Sequence, residues 1–485
     1  MPKNLNSIKF FVLYALIIFF LGFSLRFFDI SQENIWYDES YTVLNLKQPD
    51  LVTMTKTIEK NELYNPPLYY VVMYGWTKLF GFSEFALRIF SAIFGSLSLI
   101  IIYFLGKELF NRKVGLIAEL LFAISPLQIS FSQEARSYAF FIFLTLCSFY
   151  FFIRYMKEPK KIHGFMYVIT TVFSLYTLVL GFFSILLQNL IFFFFYYPEK
   201  QKIMKKWLFS QICILIFLLP GIKWFIFSTY VNLNEGLLMF VYRYSLPSFF
   251  MYIPTLLFFV IGVTSLLLVF IQYKKKYSLF NRIIPNLILN KKILFILILL
   301  MLIFELIIIP LVWRSFFFVR YTIFLYFILY LFIAVNLSKL KTKHLLFLMI
   351  PIILTNIFLI SNYYKTPIKT PWNEIALFVD QNSSHEDIIL FGGGKYAFDY
   401  YYKGNLNRIE FFPVDNYFTT FEDARKNINE IILKNPSKRG IFFITFRQWL
   451  SRPYINFLNL NYQLSYKKEF LDVGLYYYKI DGDKK

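Results

Sequence analysis

Residues 88–113 read RIFSAIFGSLSLIIIYFLGKELFNRK. Between Arg88 and Lys107 the stretch carries no charge. It is predominantly apolar and close to the roughly 20 residues that a helix needs to cross a hydrocarbon core. It closes on Lys107, Arg112 and Lys113, a basic cluster of the kind that marks the cytoplasmic end of a span. Working outward, the same pattern of apolar run and short basic connection recurs along the chain. Spans are expected at 9–28, 88–107, 113–130, 137–155, 163–179, 181–197, 207–229, 247–271, 291–310, 320–337 and 344–361, about eleven in all. The division near Gly181 cuts an apolar stretch that is too long for one crossing. The first run, Phe10 to Phe28, is long for the apolar part of a signal peptide and lacks a small-residue cleavage site, so it reads as a retained helix. Composition agrees: 58% of the 485 residues are hydrophobic and 16% charged, against roughly 45–50% and 25% in soluble domains.

The basic residues fall in alternate connections. Arg154, Lys157, Lys160 and Lys161 form one cluster, and Lys200, Lys202, Lys205 and Lys206 another. Lys274, Lys275, Lys276, Arg282, Lys291 and Lys292 form a third, Lys339, Lys341 and Lys343 a fourth, and Lys3 and Lys9 mark the amino terminus. The positive-inside rule makes all of them cytoplasmic. The net charge of +21 is then an orientation signal in a multi-pass plasma-membrane protein, not a nucleic-acid surface. The loop 29–87, the short loop 132–136, the loop 230–246, the turn 311–319 and everything after Ser361 fall on the outside. Cys147 and Cys213 lie within apolar runs, which suits neither a disulfide framework nor a metal site.

Two outer regions carry structure. In the loop 29–87, Asp38 and Glu39 stand at the start of a short helix expected to run from Ser40 to Leu46, where negative charge is favoured. Leu68 to Phe80 is apolar but too short to span, and reads as a helix lying in the interface. After about Lys365 the pattern becomes soluble α/β. Helices are expected at 372–380 and 421–433, and strands at 388–391, 409–412, 441–445 and 475–480. Gly392-Gly393-Gly394 reads as a turn, since the full phosphate-loop fingerprint is missing. The expected fold class is therefore an α-helical polytopic membrane domain, 1–361, followed by a small extracytoplasmic α/β domain, 362–485.

Charge at bilayer depth is costly and marks candidates for function. On the outer side these are Asp38, Glu39, Arg88, Glu134, Arg136, Arg314 and Arg320. Each has a bland reading. Arg88 and Arg320 can snorkel from helix ends, Glu134 and Arg136 can form a loop ion pair, and Asp38-Glu39 can be a solvated helix start. Their coincidence on one side argues for more. Guanidiniums neutralise a lipid phosphate, and a carboxylate takes a proton from an incoming hydroxyl.

The ordered motifs Trp36-Tyr37-Asp38-Glu39, Asn65-Pro66-Pro67-Leu68-Tyr69-Tyr70, Phe80-Gly81 with Ser83 to Arg88, and Ser132-Gln133-Glu134-Ala135-Arg136-Ser137-Tyr138 resemble those of the GT-C membrane glycosyltransferases. The likeness is to the family 39-like branch, with its protein O-mannosyltransferases and the aminoarabinose transferase of lipid A. Arg320-Tyr321 and Pro371-Trp372 look like that branch too. The match is dense over roughly residues 30–140 and thin beyond.

The resemblance implies an inverting transferase that uses a polyprenyl-phosphate-linked sugar, with a glycan, glycolipid or protein as acceptor. It implies Asp38 as general base and Glu39 as its companion, orienting the site or contacting the acceptor. It places Arg136 and Arg320 at the donor phosphate, and Glu134 as a partner of Arg136 or a ligand of a divalent cation, the one cofactor candidate. Tyr37, Asn65, Tyr69 and Tyr138 are the expected substrate-pocket residues. Asn65 departs from the pattern, since many relatives carry His or Lys before the Pro-Pro pair. His163, His344 and His385 are poorly placed to substitute. Two rival classes are a lipid-linked-sugar transporter and a non-catalytic scaffold. The first commonly shows internal repeats and broken helices at the midplane, and the second leaves the charged set without a role.

Overall fold

The computed structural model describes residues 3–62, 65–196, 203–222, 224, 323–410, 420–446 and 451–480. The spans expected at 247–271 and 291–310, the outer segments 230–246 and 311–319, and Arg314 and Arg320 lie outside the described residues, as do parts of the spans 181–197, 207–229 and 320–337. The chain divides into two compact units. One comprises Met1–Ile30, Glu62–Gly81 and Phe85–Tyr363, and the other Ser31–Asn61, Phe82–Glu84 and Tyr364–Lys485. The division thus differs from a single boundary at 361, because half of the first long loop is counted with the tail.

The helices in chain order are α1 (Lys3–Phe27), α2 (Tyr37–Leu46), α3 (Leu51–Asn61), α4 (Leu68–Phe80), α5 (Glu84–Leu109), α6 (Arg112–Ala123) and α7 (Pro126–Ser132). They continue with α8 (Tyr138–Lys157), α9 (Lys161–Thr177), α10 (Gly181–Ile191), α11 (Met204–Leu218), α12 (Tyr326–Ser338) and α13 (Thr342–Lys365). Among the described residues five helices are long and apolar enough to cross a membrane, or six if the bent pair α6–α7 counts as one span. The bend of 64° has a local cause. Ser125 leaves the helical region, its hydroxyl accepts from the Gln128 N–H at 3.4 Å, and Pro126 opens the next helix. The long apolar stretch 163–197 does break before Gly181, where Leu178 is extended between α9 and α10.

Packing in the first unit relies on small residues and internal polar contacts. A Cβ on Gly106 would stand 2.9 Å from the Gly115 Cα, so the pair lets α5 and α6 approach backbone to backbone. Ser148 bonds Thr171 at 2.7 Å and accepts from Gln188 at 2.7 Å, which ties α8, α9 and α10 together within a Phe-rich core. Arg26, fully buried near the end of α1, donates to the Ala123 and Phe122 carbonyls at 3.3 and 3.2 Å. A cation there satisfies the carbonyls that α6 leaves open at its carboxyl end.

The second unit contains α14 (Trp372–Asn382), β1 (Asp387–Gly392), α15 (Lys395–Tyr401), β2 (Arg408–Glu410), α16 (Phe421–Lys434), β3 (Gly440–Phe446), α17 (Arg452–Asn461), β4 (Gln463–Phe470) and β5 (Val473–Lys479). The sheet order is β2-β1-β3-β5-β4. β1 pairs in parallel with β2 and β3, and β5 pairs antiparallel with β3 and β4. The central strands, IIL and IFFI, are apolar throughout because both faces are covered. Ile389, Phe391, Phe442 and Ile444 face Trp372, Val379 and Phe398. Ile388, Leu390, Ile441 and Phe443 face Ala424, Ile428, Phe457 and Leu458. Strand order reverses at β1, which leaves the carboxyl ends of β1 and β3 as the topological switch point.

Candidate active site

The expected site residues fall into two groups, one in each unit. In the second unit, α2 begins at Tyr37, so Asp38 and Glu39 lie in its first turn, where anionic groups are favoured. Glu39 is fully buried, and its Oε2 accepts the Trp36 N–H at 2.8 Å, closing the turn on itself. The same oxygen accepts from the Lys369 ammonium at 3.2 Å, forming a buried ion pair. The Ser40 hydroxyl donates to the Tyr37 carbonyl at 2.6 Å. Between these fixed neighbours Asp38 is half-buried. The Tyr37 ring stacks on Phe446 at 4.7 Å, and its hydroxyl bonds that of Tyr41 at 3.0 Å. Burial, and then the Tyr37 neighbour, raise the Tyr41 phenol pKa, so it stays protonated.

In the first unit the centre is a residue that the sequence did not single out. Glu62 is buried and takes both terminal nitrogens of Arg136, at 2.6 and 3.0 Å, in a bidentate pair. The Asn65 amide and the Tyr70 hydroxyl also donate to its Oε2, the latter at 2.5 Å. Burial opposes the charge on Arg136, yet Glu62, with Tyr70 and Tyr138, holds the guanidinium pKa well above its ordinary value. Burial and the Glu62 charge likewise raise Tyr70, which remains a donor. Asn65 and Arg136 are therefore brought together on one carboxylate. Glu134 is half-buried in the turn before α8, and its carbonyl accepts the Arg136 N–H at 2.8 Å. Gln133 donates to the Phe28 carbonyl at 2.7 Å and accepts from Tyr363 at 3.0 Å, so this turn also anchors the end of α1.

The whole described chain can now be set against known proteins. Its fold matches ArnT from Cupriavidus metallidurans with a TM-score of 0.59 at 12% identity, covering 98% of both chains. The chain has the GT-C fold. A second solved relative is the archaeal oligosaccharyltransferase AglB from Archaeoglobus fulgidus, with a TM-score of 0.53 at 10% identity, covering 97% of this chain and 74% of that one. A family described as dolichyl-phosphate-mannose-protein mannosyltransferase matches residues 64–224. Dolichyl-phosphooligosaccharide-protein glycotransferase 1 of Pyrococcus horikoshii is 30% identical over 169 residues, 31% of this chain. An uncharacterized protein of Aquifex aeolicus is 24% identical over 229 residues, 47% of this chain. The matched stretches span only 17% and 44% of those two relatives. The resemblance read from the motifs is thus borne out at the level of the fold.

Within this GT-C fold the remaining expected residues divide by environment. Tyr69 is fully buried, its ring edge-on to Tyr70 and Phe90. Tyr138 is buried edge-on to Phe131. Arg88 is buried in α5 and donates to the Ile30 carbonyl at 3.0 Å. Arg320 lies outside the described residues. Among the described residues there is no group of three His, Cys, Asp or Glu that could hold a metal ion. Glu62 and Lys369 went unnoticed in the sequence because each is one of several charges in a polar connection and lies outside the motifs. The signal available for Glu62 was its place three residues before Asn65, and for Lys369 its place just before the Pro371-Trp372 pair.

Proposed function

We propose that this chain is a glycosyltransferase that moves a sugar from a polyprenyl-phosphate donor to an acceptor hydroxyl on the extracytoplasmic face. The observation that carries the reading is the fold likeness over 98% of both chains to ArnT, a protein also solved with undecaprenyl phosphate bound. The fold alone does not specify a reaction, and the residues supply the chemistry. Asp38 is the proposed general base. It takes the proton of the acceptor hydroxyl as that oxygen bonds to the anomeric carbon, and the bond from that carbon to the phosphate oxygen breaks with inversion. Such a base contributes about 10²–10⁴ in rate.

The leaving phosphate carries the electron pair of the broken bond, and its need is charge stabilisation. Arg136 is suited to this, since Glu62, Tyr70 and Tyr138 keep it cationic against its burial, and Arg320 is proposed beside it. Glu134 is proposed as a substrate contact. Tyr37, Asn65, Tyr69 and Tyr138 are the proposed pocket side chains, with Asn65 acting through Glu62.

The test is complementation of a deletion strain, read by mass spectrometry of its envelope glycolipids and glycoproteins. A sugar-sized mass increment should vanish on deletion and return with the wild type. Asp38→Asn should fail to restore it while still binding polyprenyl phosphate. Full restoration by Asp38→Asn would remove the base assignment. No lost increment on deletion would remove the transferase reading.

A further inference from the structure

The second unit bonds one short segment repeatedly. Glu33 accepts the Ile368 N–H at 2.6 Å, and Asn34 accepts the Asn373 N–H at 3.0 Å. The Ile35 N–H donates to the Tyr401 hydroxyl at 2.7 Å. Tyr37 stacks on Phe446, Glu39 pairs with Lys369, and Tyr41 lies edge-on to Tyr396 at 5.3 Å. Phe446 ends β3, and Tyr396 opens α15 directly after the glycine turn that follows β1. These are the carboxyl ends of the two central strands, the place where open α/β sheets ordinarily receive a ligand. Here the chain's own α2 occupies it.

Lys369 and Glu39 are the charged pair in this socket, with side chains 6% and 0% exposed. Because the Glu39 Oε2 holds both the Trp36 N–H and the Lys369 ammonium, the ion pair and the closure of the first turn share one atom. Asp38 sits inside that turn. A free Glu39 would have no reason to be fully buried, and a carboxylate taken from water needs its partner. We infer that Lys369 is a positioning residue, which fixes the direction of Asp38 by clamping Glu39, and that the tail's switch-point crevice is the socket for α2. This rests on the proposed transferase reading, and it assigns Glu39 to orientation, not to contact with the acceptor.

The test uses the full-length protein and two readouts. The first is hydrogen exchange at residues 37–46, which is independent of any activity. Lys369→Met should raise exchange there about tenfold or more while β1 and β3 keep their protection, and Lys369→Arg should restore it. The second is transfer kinetics. A misdirected base should lower kcat about tenfold to a hundredfold and leave the donor KM unchanged, with Lys369→Arg recovering most of the loss. Unchanged exchange in α2 would overturn the clamp, and so would equal loss of protection throughout the sheet. A changed donor KM at constant kcat would overturn the positioning role. If Lys369→Met does not fold, Phe446→Leu tests the same socket, with raised exchange confined to 37–46 expected and unchanged exchange overturning it. If the wild type transfers no sugar, the transferase reading fails while the exchange result still decides whether Lys369 holds α2.

Discussion

Glu62 and Arg136 form a buried bidentate pair with further donors from Asn65 and Tyr70. Such pairs are expensive to break from one side, about 3–5 kcal/mol, because the survivor is left charged and dry. Replacing both partners by apolar groups of similar size often costs little. Glu62→Met and Arg136→Met should therefore each lower the thermal unfolding temperature in detergent strongly, and the double variant should lie closer to the wild type than either single one. A purely additive cycle would mean that the two side chains do not interact. Function should separate the partners. Arg136→Lys keeps the charge and loses the planar fork, so donor affinity, measured by binding of polyprenyl phosphate, should fall about tenfold or more. Unchanged affinity would remove Arg136 from the phosphate role. The sequence made Arg136 visible through its motif and left Glu62 hidden. Nothing in a single chain tells which of several loop carboxylates folds back 74 positions from a guanidinium.

Elements were legible where burial writes a pattern. The start of α2, the whole of α4, and the cores of β1 and β3 were expected within a few residues, because apolar runs and helix starts announce them. β4 was missed. Its sequence QLSYKKEF is polar and mostly exposed, as suits an edge strand blunted by lysines, and the tight turn to β5 rests on Asp472 at φ 61°. β2, on the other edge, holds a carboxyl with a shifted pKa. Burial raises the Glu410 carboxyl from 4.5 to about 7 against the Lys395 N–H and ammonium. A raised carboxyl pKa favours the protonated form in the fold. That contribution is complete below about 4.5 and is lost as pH rises through about 7. The unfolding temperature of the wild type should accordingly fall relative to Glu410→Gln between those values. A constant difference across pH 4.5 to 7 would show that Glu410 titrates normally in the folded protein.

At the scale of the whole molecule, the orientation proposed for the membrane rests on charge and not on shape. The basic connections at Lys107 to Lys113, Arg154 to Lys161 and Lys339 to Lys343 each lie at a break between apolar helices. Anionic lipid and the translocation machinery retain such clusters on the cytoplasmic side. Residue positions can report the outcome directly. Lys160 is exposed in the connection between α8 and α9, and Lys426 is exposed on α16 of the tail. The native Cys147 is buried and Cys213 half-buried, so both are replaced by alanine before a reporter is added. In intact cells a membrane-impermeant maleimide should label Lys426→Cys and leave Lys160→Cys unlabelled until the cells are opened. The reverse pattern would place the tail, and with it Asp38, on the cytoplasmic side. That would rule out an extracytoplasmic reaction whatever the fold. Labelling of both before lysis would break the alternation of cytoplasmic and outer connections on which the proposed orientation rests.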